Sequence, residues 1–129
     1  MEFFTIYVSR SKSLDLSENI ILIMAGGRGK RMQPFTSILP KPLIPVKGKP
    51  VILHIMNLFK SEGFNKFFIS INNKNNVLKS YLSEMGKMYN LELIKETKPL
   101  GSAGALKKLG KLKLPFFVVN CDSLLRIKP

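Results

Sequence analysis

The chain has 129 residues, enough for one modest hydrophobic core, and at 45% hydrophobic content it is built to fold rather than to remain disordered. Its formal charge of +13 implies attraction to phosphates, whether of a nucleotide, a nucleic acid or an anionic membrane, and the single Cys121 excludes an internal disulfide, making a reducing cytoplasm the expected setting. No apolar run approaches the roughly 20 residues of a membrane span, and the start MEFFTIYVSRSKS has no cationic stretch ahead of an apolar core, so neither membrane insertion nor secretion is expected.

Residues 1–18 combine a short strand-like run with the polar, serine-rich SRSKSLDLSE, and are read as an N-terminal segment and linker ahead of residues 19–129. NIILIMA, Asn19 to Ala25, is a continuous apolar run stopped by Gly26-Gly27, the pattern of a strand buried on both faces of a parallel sheet. A long polar loop follows. Pro50 then suits the first turn of a helix in PVILHIMNLFKSEG, where Val51, Ile52, Ile55, Leu58 and Phe59 recur at helical spacing and Gly63 supplies the stop. NKFFISINN reads as a second strand, NNVLKSYLSEMGK as a second amphipathic helix and LELIKE as a third strand. GSAGALKKLGKL carries helix formers, and PFFVVNCD is a fourth apolar strand ending on a carboxylate.

The resulting order, βαβαβαβ, implies a Rossmann-like α/β fold: three layers, α/β/α, around a mostly parallel sheet, with the chain stopping at Pro129 after about the fourth strand. In such sheets ligands bind beyond the carboxyl ends of strands where the strand order reverses. If the first and fourth strands are neighbours in an order 3-2-1-4, the glycine-rich loop and Asp122 meet at that switch point.

The loop itself, MAGGRGKRMQPFTSILPKPLIPV, joins glycines to cations. Glycines after a buried strand let backbone N–H groups reach a phosphate with no side chain in the way. Two common templates fail. A Walker-type loop ending at Gly29-Lys30 needs glycine at Met24 and Ser or Thr at Arg31; a dinucleotide fingerprint starting at Gly27 needs glycine or alanine at Met32. What remains is Gly26, Gly27 and Gly29 followed by Arg31, and then Lys41 between two prolines of fixed φ. No carboxylate lies between Glu18 and Glu62, whereas Arg28, Lys30, Arg31, Lys41, Lys47, Lys49 and Lys60 do, so convergent side chains would carry a positive potential. The competing structural explanation is a solvated basic loop.

These residues carry a resemblance. AGGRGKRMQPFTSILPKPLIPV resembles the signature of the sugar-phosphate nucleotidyltransferases, the makers of nucleoside-diphosphate sugars: Gly-Gly-x-Gly-x-Arg, then Pro-x-Thr, then Pro-Lys-Pro. ETKPLGSAGAL is similar to that family's second nucleotide-contacting loop, and VVNCDSLL to its metal-binding strand end. The likeness runs from about Asn19 to Pro129, the amino-terminal half of a typical catalytic domain. LPKPLIP and NCDSLL are most similar to guanylyltransferase-type members that often follow a pair of regulatory CBS modules.

The resemblance implies a nucleotide-diphospho-sugar transferase-like fold and transfer of NMP from an NTP to a sugar 1-phosphate, giving an NDP-sugar and pyrophosphate. Gly26, Gly27 and Gly29 would contact the nucleotide through their backbone, and Arg31 would neutralise the leaving pyrophosphate. Lys41 would steady charge growing at the α-phosphate. Glu96 and Gly101 would sit against the base, with Pro99 shaping the turn, and Asp122 would hold Mg2+. Lys30 stands where the family commonly has threonine, and Cys121 replaces a frequent glycine. The family's acceptor-sugar residues and second metal-binding aspartate fall beyond Pro129, so nucleotide binding is expected to survive in this chain better than turnover. A truncated, catalytically inactive nucleotide-binding or regulatory relative is the alternative.

Several residues have plainer roles. His54, beside Ile55 on its helix, reads as structural or surface; Cys121 lacks a partner histidine or second cysteine and reads as a core thiol; Lys107, Lys108, Lys111 and Lys113 read as one wet helical face and its exit. A nucleic-acid partner is not expected, because the cations are spread along the chain and the aromatic residues sit in strands. An apolar sheet edge after the fourth strand would favour a homo-oligomer.

Overall fold

The computed structural model describes residues 3–7, 17–27, 39–98, 101–111, 115–121 and 124–128. Its centre is a four-stranded, all-parallel sheet made of β2 (Ile20–Ala25), β5 (Lys66–Asn72), β6 (Leu91–Glu96) and β7 (Phe116–Asn120), in the order β6-β5-β2-β7. Counted among these strands alone, that is 3-2-1-4, the order in which the loops after β2 and β7 leave side by side.

Among the described residues three α-helices cover the sheet: α1 (Val51–Ser61), α2 (Asn76–Met85) and α3 (Gly101–Lys108). Because side chains alternate along a strand, Ile21, Ile23 and Ala25 of β2 join Phe67, Ile69 and Ile71 of β5 on one face. There they meet the apolar stripe of α1 (Val51, Ile52, Ile55, Met56, Phe59) and Leu78 and Leu82 of α2. Each such burial contributes roughly 1.5–3 kcal/mol. On the opposite face Leu22 and Ile94 pack with Ala105 of α3, backed by Met24, Phe68 and Leu106. The three layers read from the sequence are therefore present.

The elements end for local reasons. Pro50 is the residue just before α1, with φ −56°, rather than its first residue, since it also closes a short strand, β4 (Lys49–Pro50). Gly63, at φ +100°, takes the left-handed conformation that turns the chain out of α1. The Asn75 side chain caps α2 by accepting from the amide of Leu78 at 3.1 Å. Asn75→Ala is expected to lower unfolding free energy by about 1 kcal/mol, measured by urea titration, and Asn75→Ser to recover most of it.

Two features go beyond the sequence reading. The stretch expected to be a polar loop contains a hairpin, β3 (Pro45–Val46) with β4 (Lys49–Pro50), whose turn residues Lys47 and Gly48 have φ of 49° and 77°. Positive φ at both central positions is the two-residue turn that matches strand twist. His54 Nε2 lies 2.6 Å from the Val46 carbonyl oxygen, tying α1 to this hairpin, which agrees with a structural role for that histidine. The second feature is a parallel pair between β1 (Phe3–Tyr7) and β8 (Leu124–Lys128), in the register Phe3↔Leu124. The strand-like run near the N-terminus is thus a strand whose partner lies at the far end of the sequence.

Candidate functional site

The carboxyl ends of the parallel strands meet at one rim. β2 delivers Ala25 and then Gly26 and Gly27; β5 delivers Asn72; β6 ends on Glu96; β7 ends on Asn120 and Cys121. Backbone bonds lock these ends together: the Cys121 amide donates to the Met24 carbonyl at 3.2 Å, and the Asn73 amide to the Glu96 carbonyl at 2.8 Å. At the other end of the sheet the buried Asn19 side chain donates to the Pro115 carbonyl at 2.6 Å, holding β7 beside β2.

Glu96 is the notable member of the rim, a carboxylate only 5% exposed. Burying a charged group is costly unless it is hydrogen-bonded. Ser70, on the neighbouring strand and fully buried, donates its hydroxyl to Glu96 Oε1. Gly26 closes the other side: a Cβ there would lie 3.2 Å from Glu96 Oε2 and 3.6 Å from its carboxyl carbon. The first loop glycine therefore serves close approach to a carboxylate, and the structure brings Gly26 and Glu96 into contact although they come from different motifs. Gly27 follows, exposed and with open space where a Cβ would be.

Lys41 sits in a 3₁₀ turn, Lys41–Leu43, entered from Pro40 at φ −54°. Pro42 and Leu43 are buried, Leu43 within the core shared with α1, and the Leu43 amide donates to the Pro40 carbonyl at 2.8 Å. The lysine is half-buried on a backbone that its neighbours hold in place. Gly101 opens α3. Gly29, Arg31, Pro99 and Asp122 lie outside the described residues.

Cys121 is buried in the core, as a structural thiol would be. Lys107, Lys108 and Lys111 are exposed, with Lys108 Nζ donating to the Lys95 carbonyl at 2.6 Å. Among the described residues no group of three or more His, Cys, Asp or Glu is placed to hold a metal ion, and no helix is long and apolar enough to cross a membrane. Asp122, the carboxylate expected to hold Mg2+, lies outside the described residues. That ion takes oxygen ligands, keeps several waters and commonly needs one or two carboxylates plus phosphate oxygens. The bond from Cys121 to Met24 sets the end of β7 next to the start of the glycine loop.

Ser70 was not apparent from the sequence. Its one signal is a hydroxyl inside the apolar run FFISI, and only the pairing of β5 with β6 gives that hydroxyl a partner.

An open parallel sheet with a glycine-rich turn at its switch point defines a nucleotide-binding α/β domain. The chain belongs to the nucleotidyl transferase family, whose pattern it matches over residues 20–126. It is 39% identical over 107 residues to a mannose-1-phosphate guanyltransferase of Aspergillus oryzae, covering 78% of this chain and 29% of that protein. The corresponding Saccharomyces cerevisiae protein is 37% identical over 107 residues, covering 78% of this chain and 30% of its own length. The chain thus spans less than a third of these relatives. Among solved structures it is similar to HddC from Yersinia pseudotuberculosis complexed with GMP-PN, at 28% identity and a TM-score of 0.66, over 81% of this chain and 48% of that one. The inositol-1-phosphate CTP transferase from T. maritima, at 20% identity and a TM-score of 0.67 over 84% of this chain and 45% of that one, shares the fold.

Proposed function

We propose that this chain binds GTP and contributes the nucleotide half of a site that transfers GMP to a sugar 1-phosphate, releasing pyrophosphate. The observation that carries this reading is the buried Glu96 carboxylate against Gly26, at the rim where the phosphate loop begins. An ionised carboxylate only accepts hydrogen bonds. Guanine offers two adjacent donors, N1–H and the 2-amino group, and satisfies it; adenine and cytosine present a ring-nitrogen acceptor instead, and uracil a single N–H between carbonyls. The guanyltransferase relatives support the same base.

In this reading the amides of Gly26, Gly27 and Gly29 cradle the phosphates, and Arg31 and Lys41 neutralise charge on the leaving pyrophosphate and at the α-phosphate. Pro99 shapes the turn that presents Gly101 to the base. Mg2+, when bound at Asp122, would supply further neutralisation at phosphate oxygens. The sugar phosphate oxygen forms a bond to the α-phosphorus, the α–β bridging P–O bond breaks, and pyrophosphate leaves with the electron pair. The attacking oxygen is already ionised near neutral pH, so positioning and charge stabilisation suffice without a general base. The buried Cys121 thiol, not engaged in a disulfide, is compatible with work in a reducing cytoplasm.

A thermal-shift series with GTP, CTP, UTP, ATP and dTTP in Mg2+ tests this. GTP is expected to raise the melting temperature most, since a ligand at 100 times its Kd stabilises by about 2.7 kcal/mol. No shift with any nucleotide would remove the reading, and stabilisation without pyrophosphate release on adding sugar 1-phosphates would reduce it to nucleotide binding alone.

A further inference from the structure

Ser70 lies on β5 facing the α3 side of the sheet, paired in register with Ile94, while Glu96 is paired with Asn72. The two side chains are thus diagonal neighbours on the same face of adjacent parallel strands. A serine hydroxyl has one proton, and here it is directed to Glu96 Oε1. The last torsion of a glutamate is broad, so nothing in the residue itself sets the plane of its carboxyl group. In this fold Ser70 Oγ binds one oxygen, and the other lies over Gly26, where an added Cβ would come within 3.2 Å of it.

We propose that Ser70 is a positioning residue that determines base specificity, by orienting the Glu96 carboxylate toward the N1–H and 2-amino donors of guanine. The inference rests on the reading that Glu96 faces the base. Each carboxylate oxygen accepts more than one hydrogen bond, so the bond from Ser70 leaves capacity for the base. Without it the carboxyl group turns, and the geometry that distinguishes guanine is lost while the phosphate contacts remain.

The test uses the full chain and titration calorimetry with GTP, ITP and ATP, alongside melting curves without nucleotide. Ser70→Ala is expected to weaken GTP binding about tenfold, the scale of one hydrogen bond to a charged group, and to leave ATP binding unchanged, so that the GTP-to-ATP ratio falls by that factor. The preference for GTP over ITP, which lacks the 2-amino group, is expected to shrink as well. Ser70→Cys, a weak donor of similar size, keeps the proposal testable if the alanine variant unfolds, and its ratio should fall by a smaller factor. A lowered melting temperature with an unchanged GTP-to-ATP ratio in both variants would make Ser70 a packing residue and overturn the proposal. Glu96→Gln separates the underlying reading: if it too leaves the ratio unchanged, Glu96 does not read the base and the role of Ser70 falls with it. If Glu96→Gln lowers the ratio and the Ser70 variants do not, only the proposal for Ser70 fails.

Discussion

Replacing Phe59 by alanine is expected to cost about 3–5 kcal/mol of unfolding free energy, a large share of the 5–15 kcal/mol typical of a whole domain. Phe59 is 1% exposed near the end of α1. Its ring meets Phe64 edge-on, with centroids 5.5 Å apart at 87°, and Phe117 of β7 at 6.3 Å and 46°. Phe64 in turn meets Phe117 at 5.3 Å and 84°. The three rings join a helix, the turn that follows it and the strand beside β2, so removing the first leaves a cavity bounded by separate elements. Such a cavity collapses poorly, and poor collapse places the cost toward the upper end of the range. Urea unfolding measures it, with Phe59→Leu expected to lose less. An alanine variant as stable as the parent would show that α1 is not held to β7 through this cluster.

The second large effect concerns Lys41. On the proposed reaction, Lys41→Met is expected to slow transfer roughly 10²–10³-fold, the scale seen when one preorganised group facing developing charge is removed. Methionine keeps most of the apolar stem and removes the ammonium, so the comparison isolates charge. The argument rests on where the residue is held: Pro40 and Pro42 flank it, and Pro42 and Leu43 are buried. A cation on a fixed backbone needs little reorganisation as charge builds on the phosphates. Lys41→Arg should recover only part of the rate, because a planar guanidinium does not replace a compact point charge. Pyrophosphate release from GTP with hexose 1-phosphates reads both variants. An unchanged rate in Lys41→Met would reduce the residue to part of a turn.

Much of the architecture was legible beforehand because it is written in local pattern. NIILIMA and FFVVN announce apolar strands, and they are β2 and β7, but only β2 is buried on both faces: β7 is an edge strand, and its Phe116 and Val118 are exposed; the i, i+3, i+4 spacing of Val51 to Phe59 announces α1. LELIKE is β6 without adjustment. The order 3-2-1-4 stood in the sequence only as the condition under which the glycine-rich loop and Asp122 would meet, and the four described strands take that order. The hairpin at Lys47-Gly48 was less visible. Its strands are only two residues each, too short to show a period.

What the chain determined by itself, then, is the set of elements, the glycine-rich turn after β2 and the identity of Glu96 as a carboxylate at a strand end. These follow from residue periodicity and backbone freedom, properties that act over a few positions. Only the tertiary structure decided that Ser70 holds Glu96, that Gly26 lies against the same carboxylate, and that Phe3–Tyr7 pairs with Leu124–Lys128. Those contacts depend on strand register and on the closing of long loops. A one-residue slip in the β5–β6 pairing would turn Ser70 and Glu96 to opposite faces without changing a letter of the sequence.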